Sequence, residues 1–218
     1  MRVLNFPNGA SPVMGEFLFF HDRALVILIF ISVLVVGLIY LLFVNSFRRA
    51  VFVDQQLLEF FWTLLPGFIL FALALPSLKL LYYLDISDHI RPKETIKSVG
   101  HQWYWSKRFF YKKTEYSQDM YMVAKEDLNL GDFRSLETDR VLVVPVNSTI
   151  RLLLSSEDVI HRFALPRLGV KMDAVPGRIN QQYFSSNLVG VFYGQCSEIC
   201  GANHRFMPIT LEVYYVKK

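Results

Sequence analysis

Two long apolar runs in the first third of the chain constrain its fold more than any other feature. Residues 24–44 contain no charged side chain, and residues 60–84 contain only Lys79. A helix rises about 1.5 Å per residue, so each run is long enough to cross the hydrocarbon core of a bilayer, which is about 30 Å thick. Pro66 and Pro76 in the second run are tolerated in membrane helices. We therefore predict a transmembrane helical hairpin over residues 23–84, surrounded by membrane lipid.

The regions on either side of the first run predict how the chain is oriented in the membrane and where the N-terminal segment ends. The loop between the two runs contains Arg48 and Arg49, and basic residues favour the side of the membrane on which a protein is made. Both ends of the chain would then lie on the opposite side. Residues 1–22 contain several proline and glycine residues, so we predict an irregular N-terminal segment there.

From residue 85 the composition changes to that of a water-soluble domain. Residues 85–99 are polar and are predicted to form a linker. Short β-rich runs then recur, with turn signals between them, at residues 141–146, 149–154, 162–165, 190–193 and 208–216. This pattern is typical of a β-sandwich or barrel, which we assign to residues 100–218.

The composition argues against two roles. The net charge is only +4 over 218 residues, and no basic run is interleaved with aromatic residues, so the chain has no nucleic-acid signature. All five histidines lie outside residues 24–84. Haem in a membrane bundle normally takes axial histidines, so the apolar runs cannot hold a haem in that way.

A short segment near the C-terminus concentrates metal-binding side chains. Both cysteines of the chain, Cys196 and Cys200, lie there with His204 and Met207. Thiolate and thioether ligands favour copper or zinc over magnesium or calcium. The spacings Cys-x3-Cys, Cys-x3-His and His-x2-Met would bring the four donors together on one loop. His161 is our candidate for a further donor from elsewhere in the chain.

Several sites are compatible with these donors. Zinc would use both cysteines and both histidines and leave the methionine idle. A mononuclear blue-copper site would leave one cysteine unused. Two copper ions bridged by both thiolates would use every donor, with the methionine and a backbone carbonyl, that of Glu198, as weak ligands. We prefer this interpretation because no donor is left over; a disulfide or two inert buried thiols are the alternatives without a metal.

The wider sequence resembles one family. Residues 193–208, YGQCSEICGANHRFMP, resemble the binuclear copper loop of cytochrome c oxidase subunit II. GHQWYW at 100–105, LSSEDVIH at 154–161 and DAVPGR at 173–178 resemble the same family in the same order. The resemblance implies that the C-terminal domain is a cupredoxin-like barrel. It also implies that two copper ions are bound by His161, Cys196, Glu198, Cys200, His204 and Met207.

The resemblance also implies a function. The chain would accept electrons from cytochrome c at the copper pair and pass them to haem in subunit I. Reduction of oxygen to water and proton pumping would take place there and not on this chain. The protein would be one subunit of an oxidoreductase complex in the mitochondrial inner membrane, with two spans and with its copper domain in the intermembrane space. Its partners would be cytochrome c, subunit I and the other oxidase subunits.

Four residues receive further roles from the same resemblance. Trp103 would be the point where electrons from cytochrome c arrive, although such an aromatic cluster is more often core packing. The carboxylate of Glu198 would bind a magnesium or manganese ion shared with subunit I. Glu59, at the start of the second span, would lie at the mouth of a proton path, although a boundary carboxylate is commonly only an interfacial anchor. Asp173 would pair with the catalytic subunit or brace its own loop.

Cytochrome c is basic, so the surface of this chain on which it docks should present carboxylates. The candidates are Glu115, Asp119, Asp139, Glu157 and Asp158. The basic residues within 107–113 depart from the more acidic pattern of the family at this point.

Three other functions are compatible with parts of the sequence. A membrane-tethered structural module with a zinc or disulfide staple would have no redox role. Subunit II of a quinol oxidase is disfavoured because that relative lacks the copper ligands. Nitrous-oxide reductase shares the copper loop but has a soluble copper domain without a hairpin.

Overall fold

The computed structural model describes residues 6–45, 55–85, 91–111 and 114–215. They form two compact units: residues 16–83 are one, and the described residues before 16 and from 84 onward are the other. The long helices are α1 (Pro12–Val44) and α2 (Gln56–Asp85). The strands are β1 (Glu94–His101), β2 (Tyr104–Tyr111), β3 (Thr114–Met120), β4 (Leu142–Pro145), β5 (Ile150–Ser156), β6 (His161–Leu165), β7 (Val170–Ala174), β8 (Asn180–Phe184), β9 (Gly190–Gln195) and β10 (Pro208–Tyr214).

The two apolar runs form the predicted helices. α1 and α2 are both long and apolar enough to cross a membrane, and α2 continues through Pro66 and Pro76. Nearly all of their large apolar side chains are exposed in the isolated chain, which is what lipid-facing helices require. Arg48 and Arg49, which indicate the orientation, lie outside the described residues.

The prediction of an irregular segment over residues 1–22 is wrong from Pro12 onward, where α1 begins. Ser11 caps this helix, because the Met14 amide donates to its hydroxyl oxygen at 3.0 Å. Pro12 takes the first helical position, where its missing N–H costs nothing. Pro12 therefore starts the helix and does not break it.

Residues 8–11 form an N-terminal strap that is built into the β unit. The Ala10 amide donates to the Arg167 carbonyl at 2.8 Å, and the Asn187 amide donates to the Ala10 carbonyl at 2.9 Å. The Ser11 hydroxyl donates to the Leu168 carbonyl at 2.7 Å. Ala10 is 2% exposed and belongs to the hydrophobic core of this unit.

The β unit contains three sheets. The largest has the strand order β3-β2-β1-β5-β8, the second has β4-β10-β9, and the third pairs β6 with β7. β1 pairs with β5 in parallel and β10 with β4 in parallel, and the other pairs are antiparallel. β5 alternates buried and half-buried residues along its length, as a strand with one face in the core does. The predicted β architecture is confirmed.

Five strands were not predicted, for a physical reason. β3 and β8 are the two edges of the largest sheet, so their sequences TEYSQDM and NQQYF are polar and resemble loops. β1 begins with the exposed Glu94 and carries Lys97 between two of its buried positions. Residues 94–99, predicted to be linker, therefore belong to a strand. β2 and β7 are likewise strands that the apolar pattern did not reveal.

Candidate metal centre

All six predicted ligands lie together in the β unit. The two cysteine sulfurs are 4.0 Å apart and unbonded. His161 Nδ1 lies 3.9 Å from Cys196 Sγ, and His204 Nδ1 lies 3.5 Å from Cys200 Sγ. Each sulfur therefore has its own imidazole, although His161 is 35 positions before Cys196 in the sequence.

The two weak donors are also divided between the sulfurs. The sulfur of Met207 lies 3.5 Å from Cys200 Sγ, and the backbone carbonyl oxygen of Glu198 lies 3.3 Å from Cys196 Sγ. Met207 is 1% exposed, so its thioether is held in the protein interior. Two soft sulfurs, two imidazoles, a thioether and a carbonyl make a donor set that fits a pair of copper ions, because no oxygen-rich shell suited to magnesium or calcium is present among these donors.

Close backbone packing at a glycine and a backbone hydrogen bond hold this loop in place. A side chain at Gly194 would place its Cβ 1.9 Å from the Ala164 carbonyl oxygen, so only glycine fits there. The Cys196 amide donates to the Met207 carbonyl at 3.3 Å, which joins the two ends of the loop. Gly201 adopts a φ of +124°, a conformation that glycine supplies without strain.

His161 is fixed by the fold itself. Its side chain is fully buried, and its Nε2 lies 2.8 Å from Asp158 Oδ1. The Trp105 ring and the imidazole pack edge to face, with 5.8 Å between the two ring centroids. The imidazole also lies so close to Gly100 that a Cβ on this residue would clash with it. With Nε2–H donated to Asp158, Nδ1 faces the Cys196 sulfur with its lone pair available to a metal.

Asp158 is the residue at this site that sequence reasoning placed elsewhere, as a docking carboxylate. Its Oδ2 accepts the Gln102 amide at 2.6 Å, and its Oδ1 accepts the Val159 amide at 2.6 Å. Burial raises the pKa of this carboxyl, but the hydrogen bonds from His161 and the two amides outweigh it and hold the pKa below its usual value. The aspartate three residues before a candidate ligand was the available signal.

The two thiols titrate very differently. Burial raises the pKa of Cys196, but the hydrogen bond with His161 and backbone hydrogen bonds outweigh it and bring the pKa to about 7. Burial and the charge on Cys196 raise the pKa of Cys200 to about 12. Without a metal Cys196 therefore loses its proton at lower pH than Cys200 does, and metal binding must release the proton of Cys200.

Comparisons with known proteins decide the family. The model of the cytochrome c oxidase subunit II periplasmic domain matches residues 94–214, and that of the transmembrane domain of the same subunit matches residues 1–80. Cytochrome c oxidase subunit 2 of Myxine glutinosa is 49% identical over 213 residues, which cover 98% of this chain and 92% of that protein.

The chain belongs to the family of cytochrome c oxidase subunit II.

Two solved structures support the fold. The periplasmic domain of subunit II of cytochrome oxidase from Bradyrhizobium japonicum is 44% identical, with a TM-score of 0.52 over 58% of this chain and 87% of that one. Subunit II of cytochrome c oxidase in a mixed-disulfide intermediate with a thioredoxin-like protein is 42% identical, with a TM-score of 0.50 over 60% of this chain and 87% of that one. The C-terminal domain is therefore cupredoxin-like, as predicted.

Family membership establishes the setting of the site. Subunit II is the copper-binding subunit of a haem–copper oxidase, an oxidoreductase complex in which it assembles with subunit I. This subunit II is anchored in the membrane by two apolar helices. A structural module with a zinc or disulfide staple is not favoured.

Trp103 of this subunit II contacts the ligand loop (residues 196–207) and lies close to the surface. Its indole N–H donates to the Cys200 carbonyl at 3.3 Å, and the Gln102 side-chain amide donates to the same carbonyl at 2.8 Å. The ring is half-buried and borders an open groove of about 510 Å³ with Tyr104, Tyr121 and other residues. It therefore joins the surface to the backbone of a cysteine ligand.

Three of the five predicted docking carboxylates, Asp139, Glu157 and Asp158, have partners within the domain. Glu157 pairs with Arg108 and lies 3.7 Å from His101 Nδ1. Asp139 accepts the Tyr121 amide at 2.7 Å. The side chain of Glu115 lies outside the described residues.

Glu198 and Asp173 are joined by a residue that sequence reasoning missed. Arg162 Nη2 lies 3.2 Å from Glu198 Oε2, and the same guanidinium makes two bonds to the Asp173 carboxylate. This hydrogen bonding lowers the pKa of Asp173. Asp173 thus pairs with a neighbouring strand of its own domain. The register of β6 and β7, which the structure gives and the sequence does not show, places Arg162 opposite Asp173.

Glu59 lies in the helical unit. It is in the first turn of α2 and is exposed there. An acidic residue in the first turn is favourable for the helix, since the exposed amides at this end carry partial positive charge.

Proposed function

We propose that this chain receives electrons from cytochrome c at a pair of copper ions and passes them to haem in subunit I. The observation that supports the proposal is the division of donors in the loop. Each cysteine sulfur has one imidazole nitrogen and one weak donor within 4 Å. Such an arrangement matches two equivalent metal positions better than one.

The proposed ligands of the copper pair are His161, Cys196, the Glu198 carbonyl, Cys200, His204 and Met207. When bound, the copper pair supplies a centre that gains and loses one electron. The protein holds the donors in place and excludes water: both thiols, Met207 and His161 are each at most 6% exposed. A buried, preorganised ligand set keeps the change in geometry on electron transfer small.

Trp103 is the proposed point of electron arrival. Its indole lies between the open groove and the Cys200 carbonyl, so a docked cytochrome c would reach the loop through a single side chain. Aromatic side chains at an exposed groove are also frequent hot spots for binding a partner.

Two further roles are proposed for carboxylates. The side chain of Glu198 would bind the magnesium or manganese ion shared with subunit I, because it is partly exposed and hard cations prefer carboxylate oxygen. Glu59 would lie at the entrance of the proton path of subunit I. We also propose a mitochondrial inner membrane location, with the β unit in the intermembrane space.

The test is metal analysis with spin-resonance spectroscopy of the full chain in detergent after reconstitution with copper. We expect about two copper ions per chain, a purple colour and a signal split by two equivalent copper nuclei. A single zinc ion, or one copper ion with a four-line signal, would contradict the proposal. Met207→Leu serves as the companion variant, since a zinc site would tolerate it and the copper pair would change its spectrum.

A further inference from the structure

Arg162 contacts the ligand loop through both its backbone and its side chain. It follows His161 in β6, and its backbone carbonyl accepts the Ser197 amide at 2.9 Å. Its side chain turns to the next residue of the loop, where Nη2 lies 3.2 Å from Glu198 Oε2. One residue therefore holds both Ser197 and Glu198, which lie between the two cysteines.

The segment held in this way carries a proposed ligand. The carbonyl oxygen of Glu198 lies 3.3 Å from Cys196 Sγ. The carbonyl lies in the peptide group that follows Glu198, so its direction depends on the position of the Glu198 Cα and on the ψ angle of Glu198. Fixing the Ser197 amide and the Glu198 side chain restricts the position of that Cα and so limits the directions that the carbonyl can take. The side chain after it, Ile199, is 81% exposed and gives no such restraint.

The guanidinium is itself held in place by the β6–β7 hairpin. Asp173 lies directly opposite Arg162 in the register and receives hydrogen bonds from Nε and, at 3.2 Å, from Nη2. The Asp173 carbonyl in turn accepts the Asn180 side-chain amide at 2.7 Å, which joins the hairpin to β8. The planar fork of arginine suits this two-point contact, whereas a lysine would offer a single point charge.

We propose that Arg162 is a positioning residue of the metal centre, which orients the Glu198 carbonyl toward the Cys196 sulfur through its guanidinium. Asp173 is the anchor that holds the guanidinium. This inference rests on the proposed copper pair, in which the Glu198 carbonyl is a weak ligand. It also predicts an effect in the absence of metal, because the restraint belongs to the protein.

The alternative is an ordinary ion pair at the surface. Arg162 and Glu198 are 32% and 34% exposed, and exposed pairs contribute little to stability. A pair of that kind would leave the spectrum of the centre and the local motion of the loop unchanged when removed. The two interpretations therefore differ in what they predict for the loop.

The first measurement uses the copper-loaded full chain carrying Arg162→Gln. We expect the same copper content as in the wild type, but shifted absorption maxima, an altered copper hyperfine splitting and a shifted reduction potential. Arg162→Lys should restore these only in part, since it keeps the charge without the fork. Lys171→Gln is the matched control: it removes one positive charge from β7, opposite Ala164, at an exposed position.

The second measurement is amide hydrogen exchange in the metal-free full chain. We expect the Ser197 and Glu198 amides to exchange about threefold to fivefold faster in Arg162→Gln, since a partly exposed pair restrains the loop modestly. Lys171→Gln should leave exchange at the wild-type rate. If the wild type failed to bind two copper ions, the proposed function would fail, while this measurement would still decide the role of Arg162.

Three results would overturn the inference. One is an unchanged spectrum together with unchanged exchange in Arg162→Gln. Another is an equal spectral shift in Lys171→Gln, which would assign the effect to net charge. If Arg162→Gln does not accumulate, Asp173→Asn takes its place; it should shift the spectrum in the same direction by a smaller amount, and no shift would overturn the inference.

Discussion

The two imidazoles of the metal centre are held in very different ways. His161 is fully buried at the start of a strand, with Asp158 on one ring nitrogen and Trp105 against its ring. His204 is half-buried and starts a three-residue 3-10 helix inside the ligand loop. The fold fixes the first ligand, and the loop carries the second. The side of the site at His161 is therefore part of the protein core, and the side at His204 can adjust to the metal.

The largest expected difference between the two sides is in stability. In the metal-free full chain, His161→Ala should lower the free energy of unfolding by about 2–4 kcal/mol, because it leaves a cavity and removes one hydrogen bond from Asp158. His204→Ala should cost less than about 1 kcal/mol, as is usual for a partly exposed position. Thermal unfolding in detergent measures both. Equal losses in the two variants would show that the loop is as much a part of the core as the strand.

A smaller effect is expected from the support of His161 alone. Asp158→Asn keeps the size of the side chain but weakens the hydrogen bond that orients the imidazole. We expect copper affinity to fall by about 10- to 100-fold, the usual range for the outer partner of a metal-binding histidine. Competition with a copper chelator measures it. Asp139→Asn is the control and should keep wild-type affinity, because the Asp139 carboxylate accepts the Tyr121 amide and not a candidate ligand.

The smallest effect concerns the titration of Cys196, followed by thiolate absorbance in the metal-free chain. Its folded pKa of about 7 lies below the ordinary value of 9.0, so its contribution to stability is fully present above pH 9 and is lost as the pH falls through about 7. His161→Ala should raise this pKa by more than His204→Ala does, because the hydrogen bond with His161 lowers it more. A larger rise in His204→Ala would reverse the comparison.

The candidate ligands that are close in sequence could be predicted, whereas the residues that hold the ligand loop in place could not. Four proposed ligands fall within 12 residues, so their spacing brings them together, whereas His161 was a candidate from elsewhere in the chain that the family resemblance supported. Arg162 escaped because its partners, Glu198 and Asp173, meet it only through strand register and loop geometry. Neither contact leaves a periodic signal in the chain.

The same distinction holds for the fold. The apolar helices and the strands β4, β5, β6, β9 and β10 have clear hydrophobic patterns, so they were predicted, whereas β1, β2 and β7 were missed although they carry core residues. β3 and β8 are polar because they lie at sheet edges. The N-terminal strap was interpreted as irregular because Gly9 and the flanking Pro7 and Pro12 give no pattern, while its structure depends on hydrogen bonds to residues more than 150 positions away.

That strap fixes the topology of the chain in the bilayer. Ala10 is hydrogen-bonded to Arg167 and Asn187, so the first described residues and the cupredoxin-like domain must occupy the same aqueous compartment. Whatever lies between them has to traverse the lipid an even number of times. A rearranged chain with one or three crossings could not close this contact, and the domain would be left with a gap in its own interior.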